Sequence, residues 1–184
     1  MRRTQTMTNK LQIKLLSENA TMPQRNHATD AGFDIYAAET VVLEPQEKAL
    51  IATDIAVNIP KGYVGLLTSR SGVSSKTHLV IETDKIDVGF HENMKINIKN
   101  DYVYEDPYDD LFCHADRIYS GVHGVDGRII ESDLYKDFPV YQINKGDKLA
   151  QLVIVPIWTP ELQQVEEFTS ESERGGKGFG SSGF

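Results

Sequence analysis

The stretch MKINIKN, residues Met94 to Asn100, alternates apolar and polar side chains: Met94, Ile96 and Ile98 fall on one side, Lys95, Asn97 and Lys99 on the other. A period of two belongs to a strand with one buried face, because successive side chains leave an extended backbone in opposite directions. LQIKLL (Leu11 to Leu16) reads the same way. Further β-type runs, separated by turn signals, are TVVLEP (Thr40 to Pro45), KALIATDIAVNIP (Lys48 to Pro60), GYVGLLTS (Gly62 to Ser69), LVIET (Leu79 to Thr83), VYQI (Val140 to Ile143) and KLAQLVIVPIW (Lys148 to Trp158). No window longer than about 12 residues carries a helical stripe. The chain therefore reads as all-β, a barrel or double sheet of many short strands.

Two segments break the rhythm. SRSGVSSK (Ser69 to Lys76) suits a tight turn into a brief helix. The stretch from Asp101 to Phe138 holds ten acids against three bases, a net charge of −7 out of −8 for the whole chain, so the remainder is almost neutral. Its tail, IIESDLYKDF, suits a short helix beginning near Ser132 or Asp133.

A length of 184 residues with 40% hydrophobic and 25% charged residues fits one soluble domain. The longest apolar run, LAQLVIVPIW, is too short to span a bilayer and contains Gln151 and Pro156. The N-terminus lacks the apolar segment of a secretory signal. No membrane is expected, and a cytoplasmic location fits the single cysteine, Cys113, which cannot close an intrachain disulfide. The negative balance argues against direct nucleic-acid binding, which needs clustered Lys and Arg. Cys113, His114 and His123 lack the fourth well-spaced ligand of a structural zinc site.

Five stretches look less like scaffold: TDAGFDIYA (Thr29 to Ala37), SRSGVSSK, KIDVGF (Lys85 to Phe90), GDKLAQL (Gly146 to Leu152) and RGGKGFGSSG (Arg174 to Gly183). Singly, each has a plain explanation: DAG is a common turn, an isolated Asp87 suits a turn or cap, and GDKLAQL suits a hairpin entering a core strand. Together they contain what a metal-assisted phosphate reaction needs. Arg70 and Arg174 can fork onto phosphate oxygens, Ser71 and Ser181 can donate hydroxyls, and a glycine-rich backbone can approach closely. Asp34 suits the hydration shell of Mg²⁺, and Asp87 suits a base for an attacking water. The terminal run is not a phosphate-binding Walker A loop, since Lys177 is followed by Gly178 rather than Ser or Thr.

These five stretches, in this order and with Gly72 and Asp87 fifteen positions apart, resemble the five motifs of the homotrimeric dUTPases. The resemblance covers about Leu11 to Asn100 and Tyr141 to Phe184. It implies a jelly-roll-like β-barrel, a trimer with shared active sites, and hydrolysis of dUTP to dUMP and pyrophosphate with Mg²⁺. By motif it implies Asp34 as the metal contact through water, and Arg70 and Ser71 on the phosphates with Ser69 and Gly72 flanking them. It implies Asp87 as the base, Phe90 packed on the deoxyribose, and Gln151 as a phosphate contact. Lys95 joins the substrate-binding set. Uracil is expected to be read by backbone groups between Val80 and Ile86, including Ile81. A cytosine there would leave buried groups unpaired at about 1–3 kcal/mol. Arg174, Lys177, Gly178, Phe179, Gly180 and Ser181 would form a lid over an active site of other subunits, with Phe179 stacked on uracil.

Some positions depart from the family pattern. Asp84 and Lys85 stand where glycine is common before the third-motif aspartate, Phe90 lacks the usual hydroxyl, and Lys177 replaces a small residue. A dCTP deaminase-type relative shares the architecture but needs a further proton-transfer constellation at the pyrimidine. The division expected is a leader over 1–10, a β-domain over 11–168 containing the acidic 101–138 insert, and an arm over 169–184. Asp87 to Gly146 spans 59 positions, far more than the family usually needs. An insert here resembles that of staphylococcal phage dUTPases that bind a pathogenicity-island repressor. That resemblance implies a second role as a regulatory protein binder, with the acidic surface on a basic partner.

Overall fold

The computed structural model describes residues 10–103, 121–131 and 138–170. Thirteen strands and one short helix occur among them: β1 (Gln12–Leu15), β2 (Gly32–Tyr36), β3 (Val41–Leu43), β4 (Lys48–Ala52), β5 (Ile55–Asn58), β6 (Tyr63–Ser69), α1 (Ser71–Ser74), β7 (Leu79–Ile81), β8 (Asp84–Ile86), β9 (Lys95–Asn100), β10 (Gly121–His123), β11 (Ile129–Glu131), β12 (Pro139–Ile143) and β13 (Lys148–Pro156). The all-β expectation holds, and α1 is the brief helix expected after Ser69.

Three details differ from the periodicity. The run Lys48 to Pro60 is two strands rather than one, because Asp54 takes a positive φ of 53° and turns the chain. Asn93 stabilises that turn: its Oδ1 accepts the Asp54 N–H at 3.0 Å and its Nδ2 donates to Asp54 Oδ1 at 2.7 Å. Residues 32–36, grouped above with a turn, form strand β2. Ile129–Glu131 is a strand, and residues 132–137, where a helix is expected, lie outside the described residues.

The strands form four sheets, in the orders β1-β5, β11-β10-β12-β3, β2-β13-β6-β8 and β4-β9-β7. All four send side chains into one core, with Val57 from the first sheet, Leu43 and Ile143 from the second, Ile35, Leu67 and Leu152 from the third, and Ile51, Ile96 and Ile98 from the fourth. On β9 the alternation behaves as the sequence predicts: Ile96 and Ile98 are fully buried, while Lys95 is exposed.

The same parity turns Asn100 inward, where it is fully buried. Its Nδ2 donates to the carbonyls of Leu43 (3.2 Å) and Pro139 (3.1 Å), and its Oδ1 accepts the Tyr102 N–H at 3.2 Å. One amide thus ties β3, β9 and β12 together where the chain enters the acidic segment. β10, inside that segment, runs parallel to β12, with Gly121 opposite Pro139. Part of the insert therefore extends an existing sheet.

Beyond β13 the chain has no further strand up to residue 170, and Trp158 (87% exposed), Leu162 (98%) and Phe168 (88%) lie outside the core.

Replacing Asn100 with Ala removes these three side-chain hydrogen bonds from a buried position. Asn100→Ala is expected to lose roughly 2–3 kcal/mol of unfolding free energy, read by urea denaturation at fixed protein concentration.

Candidate functional site

The site is built on the third sheet. β2 and β13 are antiparallel with Asp34 directly opposite Gln151, and Gln151 in turn faces Thr68 on β6. Residues opposed in this way share a face. Gln151 Nε2 donates to Asp34 Oδ1 at 3.1 Å. Arg70 follows β6 in extended conformation, and its carbonyl accepts the N–H groups of Val73 and Ser74, which starts α1. The turn thus fixes the backbone of Arg70, and its Nε lies 3.4 Å from Asp34 Oδ1.

Lys148 reaches the other carboxylate oxygen. In a regular strand, residues 148 and 151 point to opposite faces, being an odd number apart. The register between β13 and β2 shifts between Lys148 and Ala150, leaving Leu149 and Ala150 both buried. This bulge re-aims the strand. Lys148 Nζ consequently lies 2.9 Å from Asp34 Oδ2 and also donates to Asn26 Oδ1 at 3.0 Å. Asn26 Nδ2 completes the set, 3.1 Å from Asp34 Oδ2.

Asp34, only 1% exposed, therefore meets two donors on each oxygen. Burial alone would raise its pKa. Hydrogen bonds from Lys148 and Gln151, with the charges of Lys148 and Arg70, outweigh that and hold the carboxyl below its ordinary value of 3.8.

Above this network lies a concavity of roughly 380 Å³ lined by Arg70, Ser71, Gly72 and Gln151, with Asn26, Asp30, Ala31, Gly32 and Val153. Two glycines make its shape possible. A Cβ on Gly72 would stand 3.0 Å from Arg70 Nη1, and one on Gly32 would stand 3.0 Å from the Gln151 Cβ. Either would crowd a side chain that an anion needs. Cationic, amide and hydroxyl donors converging on a glycine-floored hollow suit phosphate oxygens.

The other expected residues fall elsewhere. Ser69, Val80 and Ile81 line a neighbouring hollow with Thr77 and His78. Asp87 is exposed in the turn after β8, its carbonyl accepting the Phe90 N–H at 3.2 Å, and Phe90 is 41% exposed. Ile86 packs its side chain into the core, and Lys95 stands exposed at the start of β9. None of Asp87, Phe90, Ile86 or Lys95 lines the glycine-floored concavity. Arg174, Lys177, Gly178, Phe179, Gly180 and Ser181, like Cys113 and His114, lie outside the described residues.

β7 and β8 pair with β9 and β6 respectively, not with each other, and each ends its sheet. Residues 79–86 thus present two strand edges that no other strand covers among the described residues. Backbone donors and acceptors at such edges are available to a planar polar ligand.

Among the described residues no three His, Cys, Asp or Glu side chains cluster as metal ligands. A Mg²⁺ ion that takes its ligands mainly from phosphate oxygens and water needs no such cluster. Asp34, with two donors on each oxygen, would meet water in the hydration shell of such an ion by exchanging a present donor, and the Arg70 contact at 3.4 Å is the longest of the four. No described helix is long and apolar enough to cross a membrane.

A barrel of short strands carrying this phosphate-type hollow defines a class of nucleotide-handling β-proteins, and comparison with known proteins specifies it. The family model described as dUTPase matches residues 18–102 and 138–183. The deoxyuridine 5'-triphosphate nucleotidohydrolase of Debaryomyces hansenii is 33% identical over 182 residues, covering 98% of this chain and 92% of that protein. Among solved structures, the dUTPase of Staphylococcus bacteriophage 80alpha with dUPNHPP is 63% identical with a TM-score of 0.81, covering 96% of this chain and all of the other. The dUTPase of S. aureus phage phi11, described with a species-specific insert, is 65% identical with a TM-score of 0.76, covering 89% and 100%. The chain belongs to the dUTPase family, and its fold is the jelly-roll-like one of those relatives.

Lys148 belonged to a stretch singled out in the sequence, yet only the bulge reveals its partner. Asn26 carries no signal in the sequence at all.

The lowered pKa of Asp34 has a direction in stability. A carboxyl with a depressed folded pKa stabilises above its unfolded value of 3.8 and loses that contribution as pH falls through the lower folded value. The stability difference between wild type and Asp34→Asn is therefore expected to be largest near neutrality and to shrink below pH 3.8. Urea titrations at several pH values read it, and a constant difference would contradict the ionised network.

Proposed function

We propose that the chain hydrolyses dUTP to dUMP and pyrophosphate as a Mg²⁺-dependent homotrimer. The observation that carries this reading is the convergence of Arg70, Gln151 and Ser71 on one hollow, aimed by the buried Asp34 carboxylate, in a member of the dUTPase family. In this reading the triphosphate lies in the hollow with Arg70 and Gln151 on its oxygens and Ser71 near the bridge that is cleaved. Magnesium, bound with the triphosphate, supplies charge neutralisation there.

Asp87 takes a proton from a water whose oxygen attacks the α-phosphorus. The bond from that phosphorus to the bridging oxygen breaks, pyrophosphate leaves, and dUMP keeps the water's oxygen. Such chemistry depends on positioning and electrostatics more than on covalent participation. Uracil is read by the open backbone edges between Val80 and Ile86, and Phe90 packs on the deoxyribose.

A homotrimer fits the arrangement of parts. The phosphate hollow and the segment from Asp87 to Phe90 are separate half-sites in one chain, so a second copy completes the active site. Trp158, Leu162 and Phe168, left outside the core, supply apolar contacts for neighbouring copies. Residues 169–184 act as a lid, with Arg174 and Ser181 on phosphate, Phe179 on uracil, and the lid excluding water. The reaction then takes place in the cytoplasm, that of the bacterial host if the chain is phage-encoded.

A second role is favoured by the insert. Relatives from staphylococcal phages are described as controlling transfer of virulence genes. The acidic 101–138 segment here offers a surface for a repressor with a basic face.

Wild type is expected to release pyrophosphate from dUTP and far less from dCTP or dTTP. Asp87→Asn should reduce turnover by about three or more orders of magnitude with the fold retained, comparable to removing a general base and its water. Full turnover in that variant would remove Asp87 from the mechanism, and uracil formation from dCTP would favour a deaminase. For the second role, wild type should release such a repressor from its operator in a gel-shift assay. A trimer lacking residues 104–120 should not, and equal release by both would exclude that part of the insert.

A further inference from the structure

Asp34 lies between two cations of unequal standing. Lys148 Nζ is 2.9 Å from Oδ2, whereas Arg70 meets Oδ1 through Nε alone at 3.4 Å. Arg70 lines the hollow, and its Nη1 lies beside Gly72. Lys148 does not line the hollow: Asn26 holds its ammonium, and the Tyr36 ring lies 5.8 Å from it. It cannot therefore be assigned to direct anion contact.

A buried carboxylate facing a single guanidinium makes a closed pair with little net charge to offer an anion. Two cations on one carboxylate leave a net positive charge, and the closer cation takes the larger share of the negative one. We propose that Lys148 is a positioning residue for phosphate binding: it neutralises Asp34, so that this carboxylate can orient Arg70 without cancelling Arg70's charge. The bulge at Leu149 and Ala150, which turns Lys148 toward Asp34, is on this account part of the phosphate site.

The proposal rests on the reading of Arg70 as a phosphate ligand. It gives Lys148 an effect on ground-state affinity, since Arg70 holds the phosphates before and during reaction.

Calorimetric titration of the full chain with inorganic tripolyphosphate tests it, beside dUTP kinetics. Lys148→Gln keeps a donor and removes the charge. It should weaken tripolyphosphate binding and raise KM by about tenfold, with kcat within about twofold. Lys148→Arg should restore both to within about twofold of wild type. In an Asp34→Asn background, where no charge needs neutralising, Lys148→Gln should change affinity by less than about twofold.

Wild-type affinity in Lys148→Gln, or the same tenfold loss in both backgrounds, would overturn the proposal. Should the single variant unfold, the doubly substituted chain decides: it buries no unpaired charge, and affinity within about threefold of Asp34→Asn supports the proposal while a tenfold loss sinks it. A wild type that binds tripolyphosphate but leaves dUTP intact would refute the proposed reaction while leaving the Lys148 comparison decisive.

Discussion

The carboxylate of Asp34 is the constraint on which the phosphate hollow depends. A buried charge is costly unless paired and hydrogen-bonded on all sides, and Asp34 meets that requirement through four side chains from three segments of the chain, two of them on β13. Each donor is thereby held by the same requirement. Arg70, Gln151 and Asn26 are held at the hollow, while Lys148 is held outside its lining. Truncating any one donor unbalances the carboxylate and, through it, the others. Binding and folding thus share an interaction, and the requirement of satisfying one buried ion fixes the geometry for binding another.

Charge along the chain is divided in a corresponding way. The acidic excess sits almost wholly between Asp101 and Phe138, leaving the catalytic framework near neutrality so that two or three cations can dominate locally. The insert is nevertheless attached to that framework. Asn100 clamps its entry, β10 extends the sheet of β12, and a Cβ on Gly127, in the turn after β10, would approach the Lys76 carbonyl to 2.5 Å. An added surface built onto an existing sheet leaves the core pairing of β9 and β4 undisturbed.

Much of the scaffold is legible in the sequence because burial on one face imposes a period of two. MKINIKN and LQIKLL are strands where their alternation places them, and the polar interruption in SRSGVSSK marks α1. The reading fails where local signals compete. Residues 32–36 follow a turn-like DAG, and pairing with β13 makes them a strand; Asp54 divides an apolar run because a positive φ carries no signature in an aspartate. Of the candidate site, Arg70, Ser71, Gly72 and Gln151 line one hollow, with Asp34 bonded to Arg70 and Gln151. Asp87 and Phe90 do not line that hollow.

By itself the sequence determined which faces are buried, hence the β-class, and which residue types are available for phosphate chemistry, because both depend on local pattern and composition. Tertiary structure decided which of those residues meet. Lys148 and Gln151 are three positions apart and belong on opposite faces of a regular strand; one bulge brings both to Asp34, and nothing in the residues between them announces it. Strand register and its irregularities are set by pairing with distant segments, and that pairing exists only once the sheet has formed.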